Sequence, residues 1–147
     1  MRSRVLSAAL ATAALSCGGA NVSAPEPPHA TPPVGAGCAV YQGMASGNDE
    51  LQVTFALCQS QGGLSGWVRF ASERSGWSDR AIAGSVAPDG RLILQDTGVI
   101  AAAAAPGWEQ CPVERYELVQ VAGGNVEGNY RSAACLDSAS LLLRRVR

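Results

Sequence analysis

From residue 38 onward, apolar and polar side chains alternate along the chain with a period of two. In the segment 51–57, every odd-numbered position is apolar, whereas positions 52 and 54 are polar. This alternation is typical of a β-strand with one buried face. The pattern recurs in further short segments, which are separated by turn sequences rich in Gly, Asn, Asp and Pro. We therefore predict an all-β fold of about eight short antiparallel strands, with no helix.

Glycines recur on the predicted inward faces of four strands. Each lies two positions from a bulky residue, as Gly43 does from Tyr41 and Gly128 from Tyr130. Glycine inside a strand marks a sharp bend or a close approach by a large neighbour. A small closed barrel requires both, so the pattern predicts an up-and-down barrel. The other two glycines of this kind are Gly66 and Gly84.

The apolar faces of the strands would meet inside this barrel. Around eight strands enclose a space that side chains fill or that holds one small ligand. The run of alanines at 101–105 has no amphipathic face, and we predict a loop or a weak edge strand there. The predicted inward residues are Tyr41, Val53, Phe55, Leu57, Leu64, Val68, Phe70, Ile82, Val86, Leu92, Leu94, Tyr116, Leu118, Val126, Tyr130, Leu141 and Leu143.

In the order and spacing of its strands, the segment 37–147 resembles a reduced lipocalin-like or avidin-like barrel. The resemblance concerns architecture alone. The chain has no lipocalin Gly-x-Trp signature near the first strand and no avidin-type biotin-contact motif. It therefore implies a barrel fold without implying a particular ligand.

Four cysteines of the predicted barrel can pair in three ways, and turn symmetry selects one of them. Cys38 and Cys58 are symmetric about residue 48, and Cys111 and Cys135 about residue 123; both centres lie in predicted turns. Positions that face each other across an antiparallel hairpin have a constant sum, provided that no bulge intervenes. We therefore predict the disulfides Cys38–Cys58 and Cys111–Cys135.

The same two registers bring aromatic side chains together. They place Tyr41 opposite Phe55, and Tyr116 opposite Tyr130. Aromatic pairs across a ladder are favourable, which supports the predicted pairing.

The first 16 residues have the features of an export signal. Arg2 and Arg4 supply positive charge, and residues 5–15 form an apolar, alanine-rich segment. Small residues then surround Cys17, an arrangement that resembles the lipobox of bacterial lipoproteins, although Leu15 stands at −2 where −3 is usual. In that family the cysteine is lipidated and begins the mature chain. The resemblance implies a lipid anchor on Cys17, with the protein held at the cell envelope and facing the periplasm or the cell exterior.

Two alternatives remain for Cys17. Small residues before Pro25 also suit ordinary signal peptidase, and cleavage after Ala24 would discard Cys17 and release a soluble secreted protein. Cys17 could also be a buried core thiol. Lipidation explains both the export signal and the odd fifth cysteine.

Residues 17–36 form the predicted tether between the anchor and a single barrel domain at 37–147. The tether holds five of the eight prolines together with Ala, Gly and Thr. Such a composition cannot bury a core and favours an extended, flexible chain.

Composition excludes several functions. The only histidine, His29, lies in the tether, so the barrel has no Ser–His or Cys–His catalytic pair and no histidine metal site. All basic residues are Arg, and no basic stripe indicates a nucleic-acid partner. The carboxylates, including Asp49, Asp96 and Asp137, stand beside no recognisable nucleophile, and we interpret them as solvated. We expect neither an enzyme nor a cofactor.

Two stretches carry exposed aromatic candidates. If Val68 and Phe70 point inward, Trp67 and Arg69 point outward, near Trp77. These three could form a contact surface for an envelope protein, since Trp and Arg dominate interface hot spots, or Trp67 could simply pack under a loop. Trp108, close to Cys111, is interpreted as packing on a disulfide.

The expected function is the binding of a small apolar or amphipathic ligand, or of a partner, without turnover. Tyr41, Tyr116 and Tyr130 would place hydroxyls in the barrel interior and orient the ligand. The alternative is a structural lipoprotein with a filled barrel and an outer Trp/Arg contact surface. An enzyme of unknown type is the third hypothesis.

Overall fold

A computed structural model describes residues 23–28 and 30–147. The predicted signal peptide, Cys17 and His29 lie outside the described residues. Among those residues, no helix is long and apolar enough to cross a membrane.

Eight antiparallel strands form a closed barrel in which each strand pairs with its neighbours in the sequence and the last pairs with the first. This confirms the predicted all-β, up-and-down architecture. One 3₁₀ turn, Ala122–Gly124, separates the sixth and seventh strands. The strands are β1 Cys38–Ser46, β2 Glu50–Ser60, β3 Gly63–Ser72, β4 Gly76–Val86, β5 Leu92–Ala104, β6 Arg115–Gln120, β7 Val126–Ser132 and β8 Asp137–Arg145.

The interior of the barrel is filled by the side chains that alternation placed there. Every predicted inward residue is buried except Val86, which is 47% exposed. That prediction is wrong because Val86 occupies the last position of β4, at the rim of the barrel, where nothing covers it. At the centre, the Phe55 and Tyr116 rings meet edge to face with 5.4 Å between centroids. The Phe70 and Tyr130 rings meet similarly at 5.5 Å.

The four interior glycines lie where strands approach too closely for any side chain. A Cβ atom built on Gly128 would lie 1.9 Å from the Glu117 carbonyl oxygen. Gly43, Gly66 and Gly84 make equivalent approaches to the neighbouring strand, at 1.8–1.9 Å. The glycines therefore permit the tight coiling that closes a small barrel.

The two disulfides have the predicted pairing, Cys38–Cys58 and Cys111–Cys135. The first lies within the β1–β2 ladder, at the rung predicted from turn symmetry. The second lies just beyond the β6–β7 ladder, whose register matches the prediction and places Tyr116 opposite Tyr130. Each bridge is therefore local to its own hairpin.

The barrel wall is weakest between β5 and β6, which pair through only three rungs, Leu92–Leu94 with Tyr116–Leu118. β5 contains two residues, Thr97 and Ile100, that have no partner in β4. Extra residues of this kind bend a strand and increase its twist. We attribute the separation of β5 from β6 beyond Asp96 to these bulges. The alanine run confirms the edge-strand prediction, because Ala101–Ala104 pair with β4 alone.

A first prediction concerns glycine packing. Gly128→Ala should destabilise the barrel by about 3 kcal/mol, the upper end of the usual cost of overpacking, because the added methyl group collides with a main-chain carbonyl. For a domain of this size, this lowers the melting temperature by at least about 10 °C, as measured by circular dichroism.

Gly98→Ala is the matched control, since no atom lies within 4 Å of the point that its added methyl group would occupy. This variant should melt at or slightly above the wild-type temperature because the substitution reduces the entropy of the unfolded chain. Equal melting temperatures for the two variants would contradict the proposed role of the close strand approach.

Candidate functional site

One end of the barrel, here called the mouth, opens into a cavity of about 290 Å³. The mouth is surrounded by the β1–β2, β3–β4 and β7–β8 turns and by the long β5–β6 loop at 105–114. The large apolar side chains of the cavity lining are Leu51, Phe70, Trp77, Trp108 and Val113. Its polar residues include Asp49, Ser75, Ser78, Glu109, Gln110, Tyr130, Ser132 and Asp137.

The loop 105–114 replaces the missing β5–β6 ladder as one wall of the mouth. Its attachments include the Cys111–Cys135 disulfide, a hydrogen bond from Gln110 Nε2 to the Trp77 carbonyl oxygen at 3.3 Å, and one from the Val113 amide to Asp96 Oδ2 at 2.7 Å. These attachments hold the loop over the gap in the wall.

Asp96 is the centre of a buried polar network below the mouth. Its carboxylate accepts hydrogen bonds from Arg80 Nε, from the Val113 amide and, at 2.8 Å, from the Tyr116 hydroxyl. The side chains of Asp96 and Arg80 are each 5% exposed. The interpretation of Asp96 as a solvated carboxylate is therefore wrong, because its side chain points into the barrel, where Arg80, Val113 and Tyr116 bind it.

Two further carboxylates stand at the rim of the mouth. Asp49 accepts hydrogen bonds from the Ser72 and Ser75 hydroxyls at 3.0 and 3.4 Å. Asp137 accepts one from the Tyr130 hydroxyl at 3.0 Å and one from Asn48 Nδ2 at 3.1 Å. Across residues 23–28 and 30–147, no three His, Cys, Asp or Glu side chains are grouped as a metal site requires.

The predicted ligand-orienting tyrosines occupy different environments. Tyr130 lines the mouth cavity, whereas Tyr41 and Tyr116 lie in the packed core away from it. Burial, reinforced by the neighbouring Asp96 carboxylate, raises the pKa of Tyr116 well above its usual value. Burial, followed by the charges of Asp137 and Asp49, also raises the pKa of Tyr130. At neutral pH both hydroxyls are protonated donors.

The outer residues Trp67, Arg69 and Trp77 lie on the β3–β4 face, where part of the predicted tether binds Arg69, and Trp77 also lines the mouth cavity. Arg69 donates hydrogen bonds to the Pro28 and Ala30 carbonyl oxygens at 2.8 and 3.0 Å. Its guanidinium also forms an ion pair with Asp79 and lies 5.7 Å from the centre of a Trp77 ring.

Two of these outer side chains are buried. Trp67 is 5% exposed and Arg69 is 8% exposed, although both point away from the barrel core. We call residues 23–28 and 30–34 the strap. Residues 23–27 of the strap border a groove at the mouth end of β1, β2 and β3, so the strap follows the outside of the barrel towards the mouth.

Trp108 lies at the rim of the mouth. It is 40% exposed at the mouth, and the Arg74 guanidinium lies 5.4 Å from its ring centre. Sequence reasoning also missed Ser132, which is 1% exposed and whose hydroxyl has no hydrogen-bond partner in the described structure. Ser132 lies two positions after Tyr130 on β7, so the alternation of the strand places both side chains on the inward face and could have identified Ser132.

Scans against models of known protein families, curated proteins and solved structures found no significant match to this chain. The candidate site is therefore defined by its geometry alone.

A second prediction concerns alkaline unfolding. The pKa values of Tyr116 and Tyr130 are raised by folding, so the stability that they contribute is complete below about pH 10, the unfolded value, and is lost as pH rises towards the folded values. For Tyr116 alone the slope approaches about 1.4 kcal/mol per pH unit. Urea unfolding midpoints should fall between about pH 10 and 12.

The chain contains no Lys, so few other groups titrate in this range. Tyr116→Phe should cost about 1–2 kcal/mol at pH 7 through the lost bond to Asp96, yet give a shallower alkaline decline. Tyrosinate absorbance should rise together with the loss of near-ultraviolet circular dichroism. A rise that precedes unfolding and is absent in Tyr116→Phe would contradict the buried, protonated state of Tyr116.

Proposed function

We propose that this protein is a non-catalytic binding barrel of the cell envelope, which holds a small amphipathic ligand in its mouth cavity. The observation that carries the proposal is the cavity of about 290 Å³, which combines apolar walls from Leu51, Phe70 and Val113 with polar groups at fixed positions. Apolar walls with a few oriented polar groups are typical of small-molecule sites of about this size.

The ligand would occupy the mouth and not the centre of the barrel. The rings of Phe55, Phe70, Tyr116 and Tyr130 pack together across the centre, with centroid separations of 5.4–6.4 Å. This packing supports one specific revision of the expected ligand contacts. Tyr130 remains a proposed contact residue of the ligand, whereas Tyr41 and Tyr116 belong to the packed core of the barrel and do not line the cavity.

The contacts of the polar groups favour binding over turnover. Both oxygens of the Asp96 carboxylate are already hydrogen-bonded, to Arg80, Val113 and Tyr116. The Tyr130 hydroxyl donates to Asp137, and its pKa is raised above the ordinary tyrosine value of about 10, at which it is already protonated at neutral pH. Neither group is therefore a free general base near pH 7.

The strap disfavours the alternative of an outer contact surface for a protein partner. Arg69 already donates to the Pro28 and Ala30 carbonyls, and Trp67 is buried. A partner would have to displace the strap before it reached Arg69.

A third prediction tests the cavity. N-phenyl-1-naphthylamine, a neutral apolar dye that fluoresces when shielded from water, should bind the wild-type barrel. Ser75→Phe places a ring at the cavity wall and should weaken dye binding at least about tenfold, as measured by fluorescence titration.

Ser140→Phe, on the exposed face of β8, is the matched control and should bind the dye like the wild type. Both variants should keep the wild-type circular dichroism spectrum. The binding proposal fails if the dye does not bind, or if the two variants bind it equally.

The proposed anchor is a lipid on Cys17, and the position of the strap gives this anchor a structural consequence. Ser23 lies in the groove at the mouth end, and the six residue steps back to Cys17 span at most about 22 Å. With the strap in place, an anchored barrel would therefore hold its mouth close to the membrane surface.

A fourth prediction follows for the mature protein. Mass spectrometry should find a mature chain that begins at a lipid-modified Cys17, and Cys17→Ser should abolish the modification. A mature chain that begins at unmodified Pro25 would contradict the anchor and leave the cavity proposal intact.

A further inference from the structure

The mouth cavity has a one-sided charge distribution. Among the described residues that line it, Asp49, Glu109 and Asp137 are carboxylates, and none is Arg, Lys or His. The nearest balancing charge at the rim is Arg74, whose Nη1 lies 3.8 Å from Asp49 Oδ1 and whose guanidinium stacks on Trp108. The cavity is therefore negative apart from this one rim cation.

Asp137 is a half-buried carboxylate of the cavity that has no charged partner in the described part of the chain. Its two hydrogen bonds come from neutral donors, the Tyr130 hydroxyl at 3.0 Å and Asn48 Nδ2 at 3.1 Å. Within the described residues, Asp137 and Glu109 take part in no ion pair. A carboxylate in this position attracts a ligand cation without competition from a protein cation.

A separate observation points to a ligand at the same place. Ser132 lines the cavity, is 1% exposed, and has a buried hydroxyl without a hydrogen-bond partner in the described structure. Buried polar groups are nearly always paired, so an unpaired one beside a cavity indicates a group that the ligand supplies. Ser132 directly opposes Asp137 in the β7–β8 ladder.

The aromatic side chains of the cavity fit a cation equally well. Phe70 and Tyr130 belong to its buried wall, and Trp108 stands at its rim. The faces of aromatic rings attract cations, and the attraction strengthens where water is excluded.

We propose that the mouth cavity binds an organic ammonium ion that carries an apolar body. The ammonium group lies at Asp137 and donates a hydrogen bond to the Ser132 hydroxyl oxygen, while the apolar body rests against Phe70 and Val113. This inference rests on the proposed binding function and specifies the chemical class of the ligand.

The test compares two molecules that have the same ring and chain length but differ in charge. 2-Phenylethylammonium and 2-phenylethanol are titrated into the protein at low ionic strength, with displacement of the naphthylamine dye as the measurement. The ammonium ion should bind at least about tenfold more tightly than the alcohol. The difference should shrink with added salt because the rim charges are partly exposed to solvent.

Asp137→Asn should remove most of the preference for the ammonium ion, since the amide carries no charge although its oxygen can still accept the Tyr130 hydrogen bond. Glu127→Gln, on the exposed face of β7, is the charge-matched control and should behave like the wild type. Equal affinities for the two molecules in the wild type, or an unchanged preference in Asp137→Asn, would overturn the inference.

The two proposals fail in distinguishable ways. Dye binding with no preference for the ammonium ion refutes the ligand class but keeps the cavity as a binding site. Absence of dye, alcohol and ammonium binding refutes both.

Discussion

The Asp96 carboxylate joins three strands at the point where the β5–β6 ladder ends. β5 and β6 share only three rungs, and the two bulges of β5 lie beyond them. At this point Asp96 binds Arg80 of β4, the Tyr116 hydroxyl of β6 and the Val113 amide of the preceding loop. Removing one member of a buried ion pair commonly costs about 3–5 kcal/mol because the other charge stays buried without a partner. The lower edge of the mouth therefore depends on this one carboxylate.

The gap that Asp96 spans also creates the cavity. A complete β5–β6 ladder would close the wall, whereas the loop 105–114 crosses the opening with irregular backbone and leaves space behind it. Cys111–Cys135 ties this loop to the β7–β8 turn, next to Asp137. A rigid, filled barrel thus supports a site made largely of loop and rim residues. Binding residues commonly lie on loops that a rigid scaffold positions.

The strap adds an element that neither the barrel nor the cavity requires. Outward side chains of an up-and-down barrel normally face solvent, yet Arg69 and Asp79 form a buried ion pair beneath proline-rich chain. Arg69 can make all of these contacts because its planar guanidinium donates to Asp79 on one side and to the Pro28 and Ala30 carbonyls on the other. A lysine ammonium group has fewer donors and no planar arrangement of them, so it cannot bind Asp79 and the two strap carbonyls in this way.

Alternation and turn symmetry, both local properties of the sequence, determined the strand count, the inward faces and both disulfides of this protein. The register Tyr41–Phe55, for example, follows from one turn centre, because an antiparallel hairpin permits a single sum of paired positions once its turn is known. The tertiary structure alone decided where Asp96, Asp137 and Arg69 act. Asp96 is bound by Arg80 and Val113, which lie 16 and 17 positions away along the chain. Asp137 is bound by Asn48 at a separation of 89 positions, and Arg69 binds the strap carbonyls at separations of 39 and 41 positions. Such contacts depend on bulges, on barrel closure and on the path of the strap. None of these three features can be derived from the pattern of neighbouring residues in the sequence.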